Sequence, residues 1–164
     1  MGGGKIDVAR DFRDLLRAFV DHDVRFLIVG AYALAVLGRP RATGDLDVWV
    51  EPTPRNAGRV YEALRTFGAP LYDLTVSDLA TPGVVFQIGL PPVRIDIVTE
   101  ITGVAFGPAW RRRLRAMFDD IPVAVLGRND FLRNKRATGR LKDLADAERL
   151  AGVLGGAPAR RKRR

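Results

Sequence analysis

Three aspartates, a glycine turn and a late lysine are the residues of this chain whose types and spacing could do chemistry. Asp45 and Asp47 stand two apart in the run Asp45-Leu46-Asp47-Val48-Trp49-Val50. On a strand they share one face with Trp49, while Leu46, Val48 and Val50 share the other. Two carboxylates so placed repel each other, and a cation between them relieves the repulsion. Hard oxygen donors favour magnesium or manganese for that place. Upstream, the apolar run Phe26-Leu27-Ile28-Val29 predicts a buried strand that stops at Gly30, and residues 31–37 predict the helix that follows. A strand that ends in glycine before a helix lets an anion approach the first unpaired amides closely. A third acid, Asp96, sits in the strand-like run Val93–Val98 on the face that also carries Arg94. Taken alone it reads as a salt-bridge partner of an arginine. Beside the Asp45/Asp47 pair it can complete a set of three carboxylates around two divalent ions.

The elements that must hold these residues are legible in the same way. The spacing of Val8, Phe12, Leu15, Leu16, Phe19 and Val20 predicts a helix over 8–21, and His22 after it reads as a surface turn residue. Thr53 and Pro54 open a helix that runs to about Phe67, closed by Gly68. One short helical turn is expected within 74–79. Strands over 84–88 and 93–98 flank Pro91-Pro92 and pair as a hairpin. Residues 102–110 read as a loop. Strands before and after Asp119-Asp120 form a second hairpin, with a helix over 110–118 as the alternative to its first strand, and Arg111-Arg112-Arg113 is either a solvated strand edge or a phosphate-facing rim. Asn129 caps a helix carrying Phe131, Leu132 and Lys135. Leu141, Leu144 and Leu150 mark a second one, and the ordered fold is expected to end within 152–158. Asp143 reads either as a helix-surface charge or as the group that orients Lys135 or Arg140.

Composition narrows the chemistry. The chain of 164 residues is 47% hydrophobic, with no cysteine and one histidine, so disulfides, thiolate metal sites and a serine–histidine triad are not expected. Its net charge is +8, but Arg160-Arg161-Lys162-Arg163-Arg164 supplies five of those charges. A domain over 1–154 with a disordered basic tail over 155–164 is therefore expected, and the body alone does not demand a nucleic-acid partner. No apolar run is long enough for a bilayer and no leader pattern is seen, which predicts a cytoplasmic chain.

With these residues in place, the chain resembles the DNA polymerase β nucleotidyltransferase superfamily. More narrowly it resembles the small AbiEii-type nucleotidyltransferases, which include toxins of type IV toxin–antitoxin systems. The resemblance rests on Val29-Gly30-Ala31-Tyr32-Ala33, on Arg39-Pro40-Arg41-Ala42-Thr43-x-Asp45-Leu46-Asp47 and on Arg94-Ile95-Asp96-Ile97. The fourth piece is the late Asn134-Lys135-Arg136-Ala137-x-Gly139-Arg140-x-Lys142-Asp143-Leu144-x-Asp146. It implies an α/β (α+β) nucleotidyltransferase fold, a mixed central sheet flanked by helices with further helices at the C-terminus. It also implies transfer of a nucleoside monophosphate from a triphosphate such as ATP to a hydroxyl. Asp45, Asp47 and Asp96 would hold Mg2+ or Mn2+. Gly30, Ala31 and Thr43 would cradle the triphosphate, with Lys135 and further candidates Arg41, Arg140 and Lys142 on the leaving pyrophosphate. Many members carry Gly-Ser where this chain has Gly30-Ala31, which leaves backbone amides or Thr43 to replace a hydroxyl. No sizeable further domain is seen, where longer relatives keep much of their substrate contact surface. The acceptor implied first is an RNA end, tRNA above all, with a cognate antitoxin as partner. A protein side chain or an aminoglycoside-like small molecule is the alternative enzyme reading, and a non-catalytic nucleotide or RNA binder is the third.

Overall fold

A six-stranded mixed sheet is the frame on which the acidic residues are set. The computed structural model describes residues 3–40, 44–90 and 93–161, with side chains described over 10–40, 44–90 and 93–152. Its strands are β1 (Phe26–Val29), β2 (Asp45–Val50), β3 (Val85–Leu90), β4 (Val93–Val98), β5 (Leu114–Phe118) and β6 (Ile121–Val125). They lie in the order β3-β4-β2-β1-β6-β5. Pairing is antiparallel for β1 with β2, β3 with β4 and β5 with β6, and parallel for β2 with β4 and β1 with β6. Both expected hairpins are present.

The helices are α1 (Gly3–Asp21), α2 (Gly30–Val36), α3 (Pro54–Phe67), α4 (Val76–Leu79), α5 (Phe106–Arg111), α6 (Arg128–Thr138) and α7 (Leu141–Arg161). The periodic apolar positions of α1 become its packing face, with Phe12, Leu15, Leu16 and Phe19 almost wholly buried. As the sequence predicts, the Thr53 hydroxyl accepts from the Asn56 amide at the start of α3, and Gly68 closes that helix at φ 93°. The short α4 turn carries a reciprocal cap between Thr75 and Asp78. His22 is half-buried, with Nδ1 2.9 Å from the Ala18 carbonyl and Nε2 3.3 Å from the Thr66 hydroxyl, a tie between α1 and α3.

Four expectations need correction. Residues 106–111 form a helix, not a loop. Pro108 is compatible with a first helical turn, and Phe106 is pinned edge-on to Trp49 of β2 with ring centroids 5.0 Å apart. Helix α6 starts two residues earlier than Asn129 would cap it, with Gly127 at the cap position. Of the three leucines that mark α7 only Leu150 faces inward: Leu141 and Leu144 are exposed, and Asp143, Asp146 and Ala147 are buried in their place. Helix α7 runs on to Arg161, whereas the fold was expected to end within 152–158. Its side chains are described only to Gly152, so the expected basic tail lies outside the described side chains.

Candidate active site

The sheet brings the three acids together by register. Parallel pairing sets Asp47 beside Asp96 and Asp45 beside Arg94, so a period-two face on β2 meets a period-two face on β4. Strand β1 runs antiparallel to β2 and places Val29 opposite Asp47, which delivers the Gly30 turn to the same end of the sheet. The result is a cavity of about 420 Å3 lined by Gly30, Ala31, Asp45, Asp47, Asp96, Lys135, Arg140 and Lys142. Arg94, Glu100, Asn134, Thr138 and Asp143 complete most of its wall. Every described residue of the sequence-predicted set is therefore brought to one cavity. Arg41 and Thr43 lie outside the described residues.

Gly30 is required there by shape. Its φ is 69°, a left-handed value that glycine adopts without strain, and a Cβ at that position would collide with the Asp47 carboxylate. No side chain caps α2. Gly30→Ala is expected to lower stability by only about 1 kcal/mol, because the clashing atoms are the movable end of a side chain. Loss of any reaction that needs Asp47 should be far larger. A thermal melt beside an activity assay checks this, and a loss of activity no larger than the loss of folded protein would count against it.

Electrostatics mark the acids as a strained set. Burial first, then the charges of Asp96 and Asp45, push the Asp47 carboxyl up to about 6, against the pull of Lys135 in the other direction. The Arg94 guanidinium engages the other side: its Nη2 donates to Asp96 at 3.2 Å and to Asp45 at 3.4 Å. Its Nε lies 3.0 Å from Asp96 Oδ1 but is too poorly aligned for a hydrogen bond, so both atoms are buried without a hydrogen-bond partner. Asp96 is thus the salt-bridge partner of Arg94 and also stands with Asp45 and Asp47 on one cavity.

The late motif supplies the cationic wall. Lys135 Nζ lies 3.2 Å from Asp143 and 3.8 Å from Asp146, both buried on α7. The Thr138 hydroxyl donates to Asp143 at 2.7 Å and Arg140 Nε at 2.9 Å. Burial pushes the Asp143 carboxyl up, but Thr138, Lys135 and Arg140 together outweigh it and hold it below its ordinary value. Asp143 is therefore the group that fixes Lys135 and Arg140, and the surface-charge reading is discarded. Asn134 donates 2.9 Å to the Thr102 carbonyl and ties α6 to the cavity wall. Glu100, exposed on the same cavity, went unremarked in the sequence because one acid after a strand carries no pattern. The triple arginine also resolves: Arg112 pairs with buried Asp130 at 2.8 and 3.1 Å, and Arg113 covers the Trp110 ring at 4.0 Å.

Taken together, the sheet order, the flanking helices and the cavity at the Gly30 turn define a nucleotidyltransferase fold, shared with solved structures of that class. The aminoglycoside-resistance factor ANT(2")-Ia, solved in complex with adenylyl-2"-tobramycin, matches over 92% of this chain and 91% of its own, at TM-score 0.61 and 15% identity. The lincosamide antibiotic adenylyltransferase LnuA, solved with lincomycin, matches over 88% and 96% at TM-score 0.52 and 12% identity. TM1012 of Thermotoga maritima, described as a nucleotidyltransferase, matches over 90% and 92% at TM-score 0.53 and 15% identity. No protein-family model matches the chain, and no curated protein matches it. At these identities the likeness is one of fold. Among the described residues, no helix is long and apolar enough to cross a membrane.

Proposed function

We propose that this chain is a nucleotidyltransferase that moves a nucleoside monophosphate from a nucleoside triphosphate to a hydroxyl acceptor. The observation that carries the reading is the convergence of Asp45, Asp47, Asp96 and Lys135 on one cavity at the Gly30 turn. In the reaction the acceptor oxygen forms a bond to the α-phosphorus, the bond from that phosphorus to the pyrophosphate oxygen breaks, and the hydroxyl proton leaves to a base. Asp96 is the candidate for that base, or for orienting the attacking hydroxyl. The Gly30 and Ala31 amides face the phosphates, and Lys135, held by Asp143, stabilises charge on the departing pyrophosphate. Arg140 and Lys142 stand beside it, and Arg41 and Thr43 are proposed for the same phosphates.

The donor set fits a divalent cation. Three carboxylates face one cavity, one with its pKa raised to about 6 and one with a buried oxygen that lacks a hydrogen bond. Among the described residues no three acidic or imidazole groups already stand as a formed cation cage. The Arg94 guanidinium instead lies against Asp45 and Asp96. Asp45, Asp47 and Asp96 would hold Mg2+ or Mn2+, which supplies Lewis-acid polarisation of the phosphate and a lower pKa for the bound hydroxyl. Triphosphate binding is accordingly expected to need a divalent cation, because the acids otherwise repel the phosphates. Calorimetry with and without chelator checks this, and equal affinity in both sinks the metal assignment.

For the acceptor we keep an RNA end first, as for a toxin-like enzyme with an antitoxin partner. The cavity's cations Lys135, Arg140 and Lys142 and the chain's net charge of +8 support it. A small-molecule hydroxyl is the second reading, favoured by the fold shared with two antibiotic adenylyltransferases and by Glu100 on the cavity wall. Incubation with labelled nucleotides, magnesium and either total RNA or a panel of aminoglycosides and lincosamides separates them. Label in neither pool, with Asp96→Asn as the blank, would leave a protein side chain as acceptor or the binder reading, which the same incubation with total protein separates.

A further inference from the structure

We propose that the end of the sheet opposite the Gly30 turn carries a binding groove for single-stranded RNA, organised around Trp110. Two adjoining cavities open there, of about 530 and 480 Å3, and they share Asp23, Val24 and Trp110. Both exceed the cavity at the three aspartates, and none of their lining belongs to it. Val24 and Phe26 place them at the start of β1, whereas Gly30 follows its end. With a strand rise of about 3.3 Å per residue, the two sites lie on the order of 13 Å apart along β1.

The groove's charge points to phosphates. Five arginines line it: Arg25, Arg55, Arg59, Arg113 and Arg115. Two acids oppose them, and only at long range, Glu51 at 3.8 Å from Arg25 and Asp23 at 4.0 Å from Arg59. Trp110 acts as a post that sets two guanidiniums in place. Arg113 covers its ring at 4.0 Å and donates to its carbonyl at 2.8 Å, and Arg25 sits 5.4 Å from the ring centre. Phe106 stacks 5.8 Å from the same indole and fixes it against the core. Guanidinium planes held flat are platforms on which unpaired bases stack, and their N–H forks take phosphate oxygens. Met117, 61% exposed, and Pro122 give the floor an apolar surface for bases. A double helix presents its bases inward, so this mixture of ring-seated guanidiniums and apolar surface suits a single strand.

The groove deepens the RNA-acceptor reading and takes its purpose from it: an RNA held here would be presented to the distant carboxylates. Its test reads binding, not transfer, so the two can fail separately. The probe is a fluorescein-labelled single-stranded RNA of mixed sequence, followed by anisotropy against salt in chelator, with the full chain. Arg55 and Arg115 are exposed, so the double variant Arg55→Glu/Arg115→Glu should fold as the parent does. It is expected to weaken RNA binding at least tenfold. It should also reduce the steepness of the log–log salt dependence by about 1.4, at about 0.7 per phosphate contact on a single strand. Arg13→Glu/Arg65→Glu makes the same change of net charge on other exposed faces and is expected to cost far less. Trp110 emission should change on adding RNA, since the only other tryptophan, Trp49, is buried. Equal losses in the two double variants would overturn the groove, as would unchanged Trp110 emission. Displacement of the RNA by equimolar inorganic triphosphate would overturn it too, as a site for free phosphate. If total RNA stays unlabelled in the transfer assay while the groove variant loses RNA binding, the acceptor reading falls and the groove stands.

Discussion

Asp47→Asn is expected to abolish nucleotidyl transfer and, at pH 8 without metal, to make the protein more stable. Loss of one of three cation-facing carboxylates removes several kcal/mol of transition-state stabilisation, which corresponds to about a thousandfold in rate. The gain in stability follows from the same geometry. Asp47 is pushed up to about 6 by burial and by Asp96 and Asp45, while the unfolded chain titrates near 3.8. Between those two values the folded state holds the extra proton, so its stability falls as pH rises through the window and stays lower above it. Asparagine has no charge to repel Asp96 and Asp45. The variant should therefore gain on the order of 2 kcal/mol at pH 8 and nothing near pH 3.8, where the parent Asp47 is neutral in the fold. Thermal melts in chelator at both pH values measure it. A variant that melts lower than the parent at pH 8 would show that Arg94 and Lys135 already balance the three acids.

That balance also explains which parts of the site were legible in the sequence and which were not. The face-sharing of Asp45 and Asp47 follows from local period two, and the end of β1 at Gly30 follows from a glycine after four apolar residues. Both are nearest-neighbour facts. The pairing of Asp47 with Asp96 is not, since α3, α4 and β3 intervene and only the parallel register of β2 with β4 brings them together. Arg94 admitted two readings because strand spacing puts it on Asp96's face without saying what else stands there. The cross-strand partner Asp45 turns the salt bridge into part of the site. Helix α5 was unreadable as a helix because its six residues include Gly107 and Pro108, and what holds it is the contact of Phe106 with Trp49. The hydrophobic period misled at α7, where two acids and not two leucines face inward. A buried lysine on the neighbouring helix outweighs hydrophobicity when the alternative is an unpaired ammonium.

Asp143→Ala is expected to produce the largest loss of stability among single changes near the site. Asp143 is 3% exposed and accepts from Lys135, Thr138 and Arg140, while Lys135 itself is 12% exposed. Removing the carboxylate leaves an ammonium half-enclosed between α6 and α7, with Asp146 at 3.8 Å as its remaining ion-pair partner among the described residues. Breaking a buried pair from one side costs about 3 to 5 kcal/mol. For a chain of this size that is a fall in melting temperature of roughly 10 °C. Asp143→Asn, which can still accept from Thr138, should lose less. Both variants should raise the KM for triphosphate, because Lys135 and Arg140 lose their common anchor. Lys142→Ala, on an exposed side chain next in sequence, should leave the melt within about 0.5 kcal/mol of the parent. The pH dependence runs opposite to that of Asp47. The folded Asp143 carboxyl sits below its ordinary value, so its contribution is fully present above the unfolded pKa and is lost as pH falls through the lower folded one. At pH 4, where the Asp47→Asn difference has nearly closed, the Asp143→Ala difference should remain open. If it closes there as well, or if Asp143→Ala melts with the parent at pH 7, Asp143 is not the group that holds Lys135 toward the cavity.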